Sequence, residues 1–302
     1  MKHTSVFFLL FMAAFTCHAQ KVKMALHLTK GNTYDMVSTS TSAIKQNIKG
    51  QENNINISLS ATISFKVLGA NDSLYYMEVV YKGVNMKMGL PTGEVSFSSG
   101  KKDSTDVMST ILNRMTDKPF TATFTKSGKI RSVENLENMI SSVLDGFPQV
   151  QGVQKEQIKA RFMKSFGSQS VKGSIELATA VLPEVPVAKN DTWHTHTTLQ
   201  TTMNANVETI YQLVGVTPTS YLIHGEGTIV TIPDQPGASA MKYDMKGTIV
   251  SDIKVDKVTG WITESKTKQS INGTVAIKDN PDTPGGITFP MTMTAETIIT
   301  DR

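Results

Sequence analysis

Apolar and polar residues alternate with a period of two over most of this chain, and only in its middle does the period lengthen to that of a helix. The alternation is cleanest where Ile55, Ile57, Leu59, Ala61, Ile63, Phe65 and Val67 are separated by nothing but Asn, Ser, Thr or Lys. Alternate side chains of a strand point to opposite faces, so this stretch predicts one strand with a single oily face. At about 3.3 Å per residue it would run on the order of 43 Å, more than twice the usual strand. Ahead of it, Val22, Met24, Leu26 and Leu28 predict a half-buried first strand. Gly31 and Asn32 turn the chain into a second strand from Thr33, carrying Tyr34 and Met36, and Lys49 to Asn54 form a polar turn. Beyond the long strand, Gly69 to Ser73 turn the chain again, and Tyr75, Met77, Val79 and Tyr81 alternate as far as Gly83. There the apolar parity switches to Val84, Met86 and Met88. A glycine at a parity switch predicts a β-bulge. Pro91 to Gly93 then lead into a shorter strand with Val95 and Phe97.

From Ser104 the spacing becomes helical. Val107, Met108, Ile111, Leu112 and Met115 mark one amphipathic helix, with Asp103 or Ser104 as its N-cap. Phe120, Ala122 and Phe124 make an intervening strand ending in the hairpin turn Ser127-Gly128. A second helix is predicted from Ser132 (Val133, Leu136, Ile140, Val143, Leu144), stopping near Gly146 and Pro148. A third runs from Gln154 with Ile158, Phe162, Met163 and Phe166 and closes at Gly167, and a fourth carries Val171, Ile175, Ala178 and Leu182. Pro183 and Pro186 then forbid further helix, since each lacks a backbone N–H and restricts the residue before it. Asn190 and Asp191 supply turn chemistry, and Trp193 anchors the return to the core.

Strands resume at Trp193–Met203, Val207–Val214 and Tyr221–Ile232. Another long alternation follows over Met241, Tyr243, Met245, Gly247, Ile249, Ser251, Ile253 and Val255. Lys257 to Gly260 turn into a strand from Trp261, and the last strand has Ile287, Phe289, Met291, Met293, Ala295 and Ile299 on one face with Pro290 on the other. That proline assigns the strand to a sheet edge or to a locally unpaired position. The two β-rich stretches echo one another: Gly31-Asn-Thr-Tyr34 with Asn190-Asp-Thr-Trp193, Phe65 to Gly69 with Tyr211 to Gly215, and, more weakly, Thr125 to Ile130 with Asp256 to Trp261. Old duplication of a β-meander (residues about 20–100 and 190–302) and convergent strand-and-turn grammar both account for this.

So many strands with one oily face cannot stay flat, and helices with apolar stripes need a surface to cover. The expected fold is mainly β with α: one strongly curved, half-barrel-like antiparallel sheet packed by about four central helices (about 103–182), in a single domain of residues 20–302.

The first residues change the picture of where this domain works. Lys2 and His3, an apolar run from Val6 to Phe15 and the small or polar Cys17-His18-Ala19 read as a secretory signal peptide over residues 1–19. The run is too short to span a bilayer, and no later stretch is long enough. Lipoprotein anchoring at Cys17, the one cysteine, is the lesser alternative to cleavage after Ala19, because Ala14 and Thr16 stand where a lipobox has Leu and a small residue. A periplasmic or secreted protein held together without disulfides is expected. The formal charge of +4 is dispersed, without a basic block, which gives no footing for nucleic acid.

Candidate chemistry is sparse. Methionine, at 16 residues, recurs as Met86-x-Met88, Met241 with Met245, and Met291-x-Met293. Each pair shares a strand face. Met86, Met88, Met241, Tyr243, Met245, Met291 and Met293 are therefore candidates to line a site for an acyl chain or other apolar ligand, core filling and a soft copper site being the alternatives. His194-x-His196 is a weak metal candidate without a third ligand. Ser42-x-x-Lys45 and Ser251-x-x-Lys254 lie in strand patterns, where the serine–lysine chemistry that needs a helix start has no footing. No carboxylate pair, dinucleotide motif or phosphate loop is present, so no cofactor and no catalytic residue is nominated.

In element order the chain resembles the half-barrel of periplasmic lipoprotein-carrier proteins. The leader ending Ala19-Gln20, the Leu182-Pro-Glu-Val-Pro-Val187 stretch and Asn190-Asp-Thr-Trp193 resemble an uncharacterised family of envelope proteins from Bacteroidetes-type bacteria, in which glycine usually stands at the place of Asn190. That resemblance implies no known activity. The function expected is a non-enzymatic envelope protein binding a lipid or other apolar or amphiphilic ligand between sheet and helices. The alternatives are an interaction module for an envelope partner and an enzyme of unrecognised type.

Overall fold

The computed structural model describes residues 21–101, 105–147, 152–201, 203–233, 240–281 and 283–301. The signal-peptide reading and Cys17 lie outside them, as do Asp103, Ser104 and Pro148. Before the helices run β1 (Thr33–Ile48), β2 (Gln51–Ala70), β3 (Leu74–Leu90) and β4 (Gly93–Ser98). The middle holds α1 (Val107–Met115), β5 (Pro119–Thr125), β6 (Ile130–Glu134), α2 (Leu136–Asp145), α3 (Gly152–Phe166) and α4 (Ser168–Thr179). Then follow β7 (Thr192–Leu199), β8 (Ala205–Val216), β9 (Ser220–Thr231), β10 (Met241–Asp256), β11 (Ile262–Ile277) and β12 (Ile287–Thr300).

All twelve strands join one antiparallel sheet in the order β6-β5-β3-β2-β1-β12-β11-β10-β9-β8-β7, with β4 paired to β3 off this path. The sheet is not closed into a barrel; its edges are β6 and β7. It must nevertheless curl, because one twelve-residue helix touches both edges. On one side the Glu176 carboxylate of α4 accepts from the Ile130 amide at 3.0 Å, and Thr179 Oγ1 donates to the Gly128 carbonyl at 2.7 Å. On the other side α4 meets β7 at Gly173, where a Cβ would stand 2.8 Å from the Thr198 carbonyl oxygen. A helix thus sits in the seam that a further strand would have to fill, and it supplies the cover that sheet edges require.

The long alternations behave as their pattern dictates. β2 is 20 residues long, with Ile63, Phe65 and Val67 buried and Lys66 and Leu68 exposed. Its hairpin to β1 needs only Lys49 and Gly50, both at positive φ, so Gln51–Asn54 belong to the strand and not to the polar turn. The parity switch is a bulge: Tyr81 pairs with Ile63 and Gly83 with Thr62, which turns both Tyr81 and Val84 inward. The echoed segments carry matching irregularities. β2 shifts register against β3 between Val67 and Gly69, and β8 shifts against β9 between Leu213 and Gly215. Tyr34 pairs with Phe65 as Trp193 pairs with Tyr211. Asn190 takes φ 73°, the left-handed conformation that glycine adopts freely and asparagine tolerates.

Other expectations are corrected. Val22–Leu28 form no ladder beyond a single bridge from Val22 to Val187. The alternation is real, with Met24, Leu26 and Leu28 buried, but the segment crosses the end of the sheet. It bonds to two separate turns, Leu26 N–H to Lys126 O and His27 N–H to Thr259 O. Ser132 and Val133 lie in β6, paired with Thr123 and Ala122, and Asn135 at φ 65° marks the break before α2. There the hairpin competed for the same backbone groups and won. α1 is capped by Asp106, whose carboxylate accepts from the Ser109 amide. Gly167 alone separates α3 from α4, so the two run on as one broken helical stretch. β12 is a central strand and not an edge. The other alternative expected of Pro290 holds: it is locally unpaired toward β1, lying one residue past the last β1 partner, Gln46 opposite Met291, and pairs only with Thr274 of β11.

Among the described residues, buried apolar side chains form two clusters. The larger joins α1, α2 and α4 to the ends of β2, β3 and β5 around Phe65, Phe124, Ile140 and Trp261. The smaller, around Val207, Met245, Ile271, Phe289 and Met291, sits farther along the long strands.

Candidate functional site

Between the inner face of the sheet and helices α3 and α4 lies a cavity of about 400 Å³, within the range of small-molecule sites. Its position follows from strand register. Ser40 of β1 stands opposite Thr297 of β12, Thr297 opposite Thr267 of β11, Thr267 opposite Ser251 of β10, Ser251 opposite Gly225 of β9, and Gly225 opposite Tyr211 of β8. One transverse row across six strands therefore carries four aliphatic hydroxyls, a gap and a phenol. The hydroxyls are paired, Thr297 Oγ1 donating to Ser40 Oγ and Ser251 Oγ meeting Thr267 Oγ1, both at 3.0 Å. At the gap, a Cβ on Gly225 would stand 2.5 Å from Cε1 of Tyr211, so the absence of a side chain there lets the ring lie across the sheet. The Tyr211 hydroxyl meets Thr209 and Thr195, and burial pushes its pKa up to about 12, so it stays protonated.

Apolar groups flank this row: Ile253, Ile299, Met36 and Ile63 on one side, Ile249 on the other, with Val171, Ile175 and Ala178 of α4 as the roof. Among the described lining residues there is no Asp, Glu, Lys, Arg or His. The arrangement can solvate an apolar chain and offer it neutral hydrogen-bonding partners. The titratable side chains among the described lining residues are the phenols of Tyr81 and Tyr211, whose pKa values burial raises.

None of the seven residues nominated from the sequence lines this cavity. Met245, Met291, Met293 and Tyr243 do come together, in or against the smaller apolar cluster, where Gly273 of β11 lies between Met245 and Met291 in register. Met241 is 40% exposed. Met86 and Met88 lie apart, on the stretch of β3 that pairs with β4. The polar row escaped notice because serine and threonine at inward positions look like gaps in an apolar pattern. The signal was present in Ser38, Ser40, Ser251 and Thr297, which keep the parity of the apolar residues around them.

His194 and His196 both face outward on β7, and His196 Nδ1 is taken up by Glu208. Among the described residues no group of three or more His, Cys, Asp or Glu is placed to hold a metal ion. Another outward histidine has a stronger electrostatic setting. A hydrogen bond donated by the ring to Asp252 at 2.7 Å, helped by Glu226 and opposed by partial burial, raises the His224 pKa above its ordinary 6.5. The protonated ring is favoured in the folded state, so this contribution is complete below the unfolded pKa and is lost as pH rises through the folded one. The melting temperature should decline as pH is raised through and above 6.5. His224→Gln should remove that part of the slope, as read by calorimetry over a pH series; an unchanged slope would show that the triad adds nothing.

Fold and cavity together define a curved-sheet protein closed by helices around an uncharged interior. The chain belongs to a family of unknown function, DUF6263, whose sequence model matches residues 72–262. No curated protein matches it. Among solved structures it is similar to the COG4313 outer membrane channel from Pseudomonas putida F1, at 6% identity and TM-score 0.28, covering 92% of this chain and 97% of that one. It is also similar to a DUF1329 family protein from Desulfovibrio piger ATCC 29098, at 10% identity and TM-score 0.17, covering 89% and 83%. Neither likeness is strong enough to bear on function. Among the described residues no helix is long and apolar enough to cross a membrane.

Proposed function

We propose that this chain is a non-enzymatic envelope protein, periplasmic or secreted, that holds one apolar or amphiphilic ligand in the cavity between sheet and α4. The observation that carries the reading is an interior of about 400 Å³ whose described lining is apolar or hydroxylated apart from the carboxamide of Gln269 and contains no charged side chain. A pocket so lined binds through burial of apolar surface, worth about 25 cal/mol per Å². The absence of carboxylate, imidazole or amine from that lining supports carriage over catalysis. The outer face offers an interaction module less: Ile210, Val250 and Ile298 are exposed, but Glu226 stands between Ile210 and Val250 in register, Lys268 lies on the far side of Val250 and Lys266 lies opposite Ile298, so the apolar surface is broken up.

A fluorescent apolar probe such as N-phenyl-1-naphthylamine should bind the purified protein at one site. Ala61→Phe, which projects a ring into the cavity, should weaken binding by roughly tenfold or more, the loss of about 1.4 kcal/mol. Val230→Phe on the outer face should leave it unchanged. Probe binding that is absent, or unaffected by Ala61→Phe in a variant with a normal melting curve, would refute the reading.

A further inference from the structure

The row of hydroxyls says what kind of ligand the cavity takes. An interior meant only for hydrocarbon would carry aliphatic side chains at Ser40, Thr297, Thr267 and Ser251, whereas one step away Ile253 and Ile299 already alternate with Ser265 and Ser38. Here four hydroxyls stand in register across β1, β12, β11 and β10, between the two apolar clusters. Each hydroxyl has one donor and two acceptor lone pairs. Within each pair, Thr297 with Ser40 and Ser251 with Thr267, one O–H is consumed. Each pair therefore keeps an O–H and lone pairs for a further partner, at the wall of a cavity and in the middle of its apolar lining. A neutral group that both accepts and donates satisfies them. An ionised group does not, because the described lining supplies no counter-charge, and burying an unpaired charge in such a setting is strongly disfavoured.

We propose that the ligand is an uncharged amphiphile, an apolar chain bearing a hydroxyl, ester or amide group, with that group seated on the Ser40–Thr297 and Thr267–Ser251 pairs. This rests on the cavity reading above and narrows it to neutral lipids. Ionised fatty acids and alkylammonium compounds are excluded as the preferred cargo. The hydroxyl row supplies orientation and selectivity, and the flanking isoleucines and α4 supply the apolar contact.

The test is displacement of N-phenyl-1-naphthylamine from the full-length protein by compounds of one chain length: a fatty alcohol, a monoacylglycerol, the fatty acid held ionised, and an alkylammonium. The two neutral compounds should displace at concentrations roughly tenfold or more below the two charged ones. Thr267→Val together with Thr297→Val removes one hydroxyl from each pair with little change of shape and suits strands. This variant should lose most of the preference for the monoacylglycerol, its displacement being read against the variant's own naphthylamine affinity. If it fails to fold, Ser40→Ala with Ser251→Ala asks the same question of the other members. An ionised fatty acid that displaces as well as the monoacylglycerol, or a preference that survives both double variants, would overturn the neutral-ligand inference and leave the cavity reading standing. Failure of the naphthylamine itself to bind would remove both.

Discussion

Gly128→Ala should lower the melting temperature by roughly 6–12 °C, taking a cost of about 3 kcal/mol at roughly 2–4 °C per kcal/mol for a domain of this size. Two causes act together. Gly128 has φ 85°, which L side chains rarely adopt, and a Cβ there would stand 2.0 Å from the Thr179 carbonyl oxygen. The obstacle is backbone and cannot swing aside, and the same two residues are joined by the Thr179 hydroxyl on the Gly128 carbonyl. Substitution must therefore push the end of α4 away from the β5–β6 turn. Gly50→Ala separates the causes, since Gly50 has a similar φ of 82° with nothing within 4 Å; it should cost only the left-handed strain, about 1–2 kcal/mol. Hydrogen exchange should show α4 and β7 losing protection in Gly128→Ala and not in Gly50→Ala. Equal losses in the two variants would mean that α4 does not hold the edges of the sheet together.

Phe65→Ala should be about as damaging, for a different reason. Phe65 is fully buried with its ring edge-on to Phe124 at 5.8 Å and to Trp261 at 5.4 Å, and it pairs across strands with Tyr34, which touches Trp261 in turn. These aromatics come from β1, β2, β5 and the residue just before β11, so one side chain ties the first meander to the second. Removing it leaves a cavity that none of these strands can close alone, at a cost of about 3–5 kcal/mol. Leu68→Ala, on the outward face of the same strand and 44% exposed, should stay within about 0.5 kcal/mol. Urea unfolding should show the midpoint of Phe65→Ala falling at unchanged slope. A loss below about 1.5 kcal/mol would mean that the aromatic group is not the centre of the larger core.

Much of the architecture was written in local patterns, and the exceptions share a cause. The bulge at Gly83, the turn at Ser127-Gly128 and the inward face of β10 follow from period and turn chemistry alone. Ser132–Glu134 failed because a five-residue edge strand and the first turn of a helix present the same few apolar positions. Val22–Leu28 failed because alternation reports one buried face and not a hydrogen-bonded neighbour. The methionines were legible as inward residues, yet distance along the strands sends Met245 and Met291 to one cluster and leaves Met86 and Met88 elsewhere.

The order of side chains along the chain settled which faces are oily, where helix replaces strand, and that the strands are too many and too long to lie flat. These are consequences of short-range sterics and of keeping apolar surface from water. Only the three-dimensional pairing decided that β12 lies in the centre of the sheet, that α4 spans the open seam, and that Ser40, Thr297, Thr267 and Ser251 stand shoulder to shoulder. Residues from four strands, two of them more than 250 positions apart in sequence, become neighbours through hydrogen-bond register between strands, and register is not encoded in any one segment.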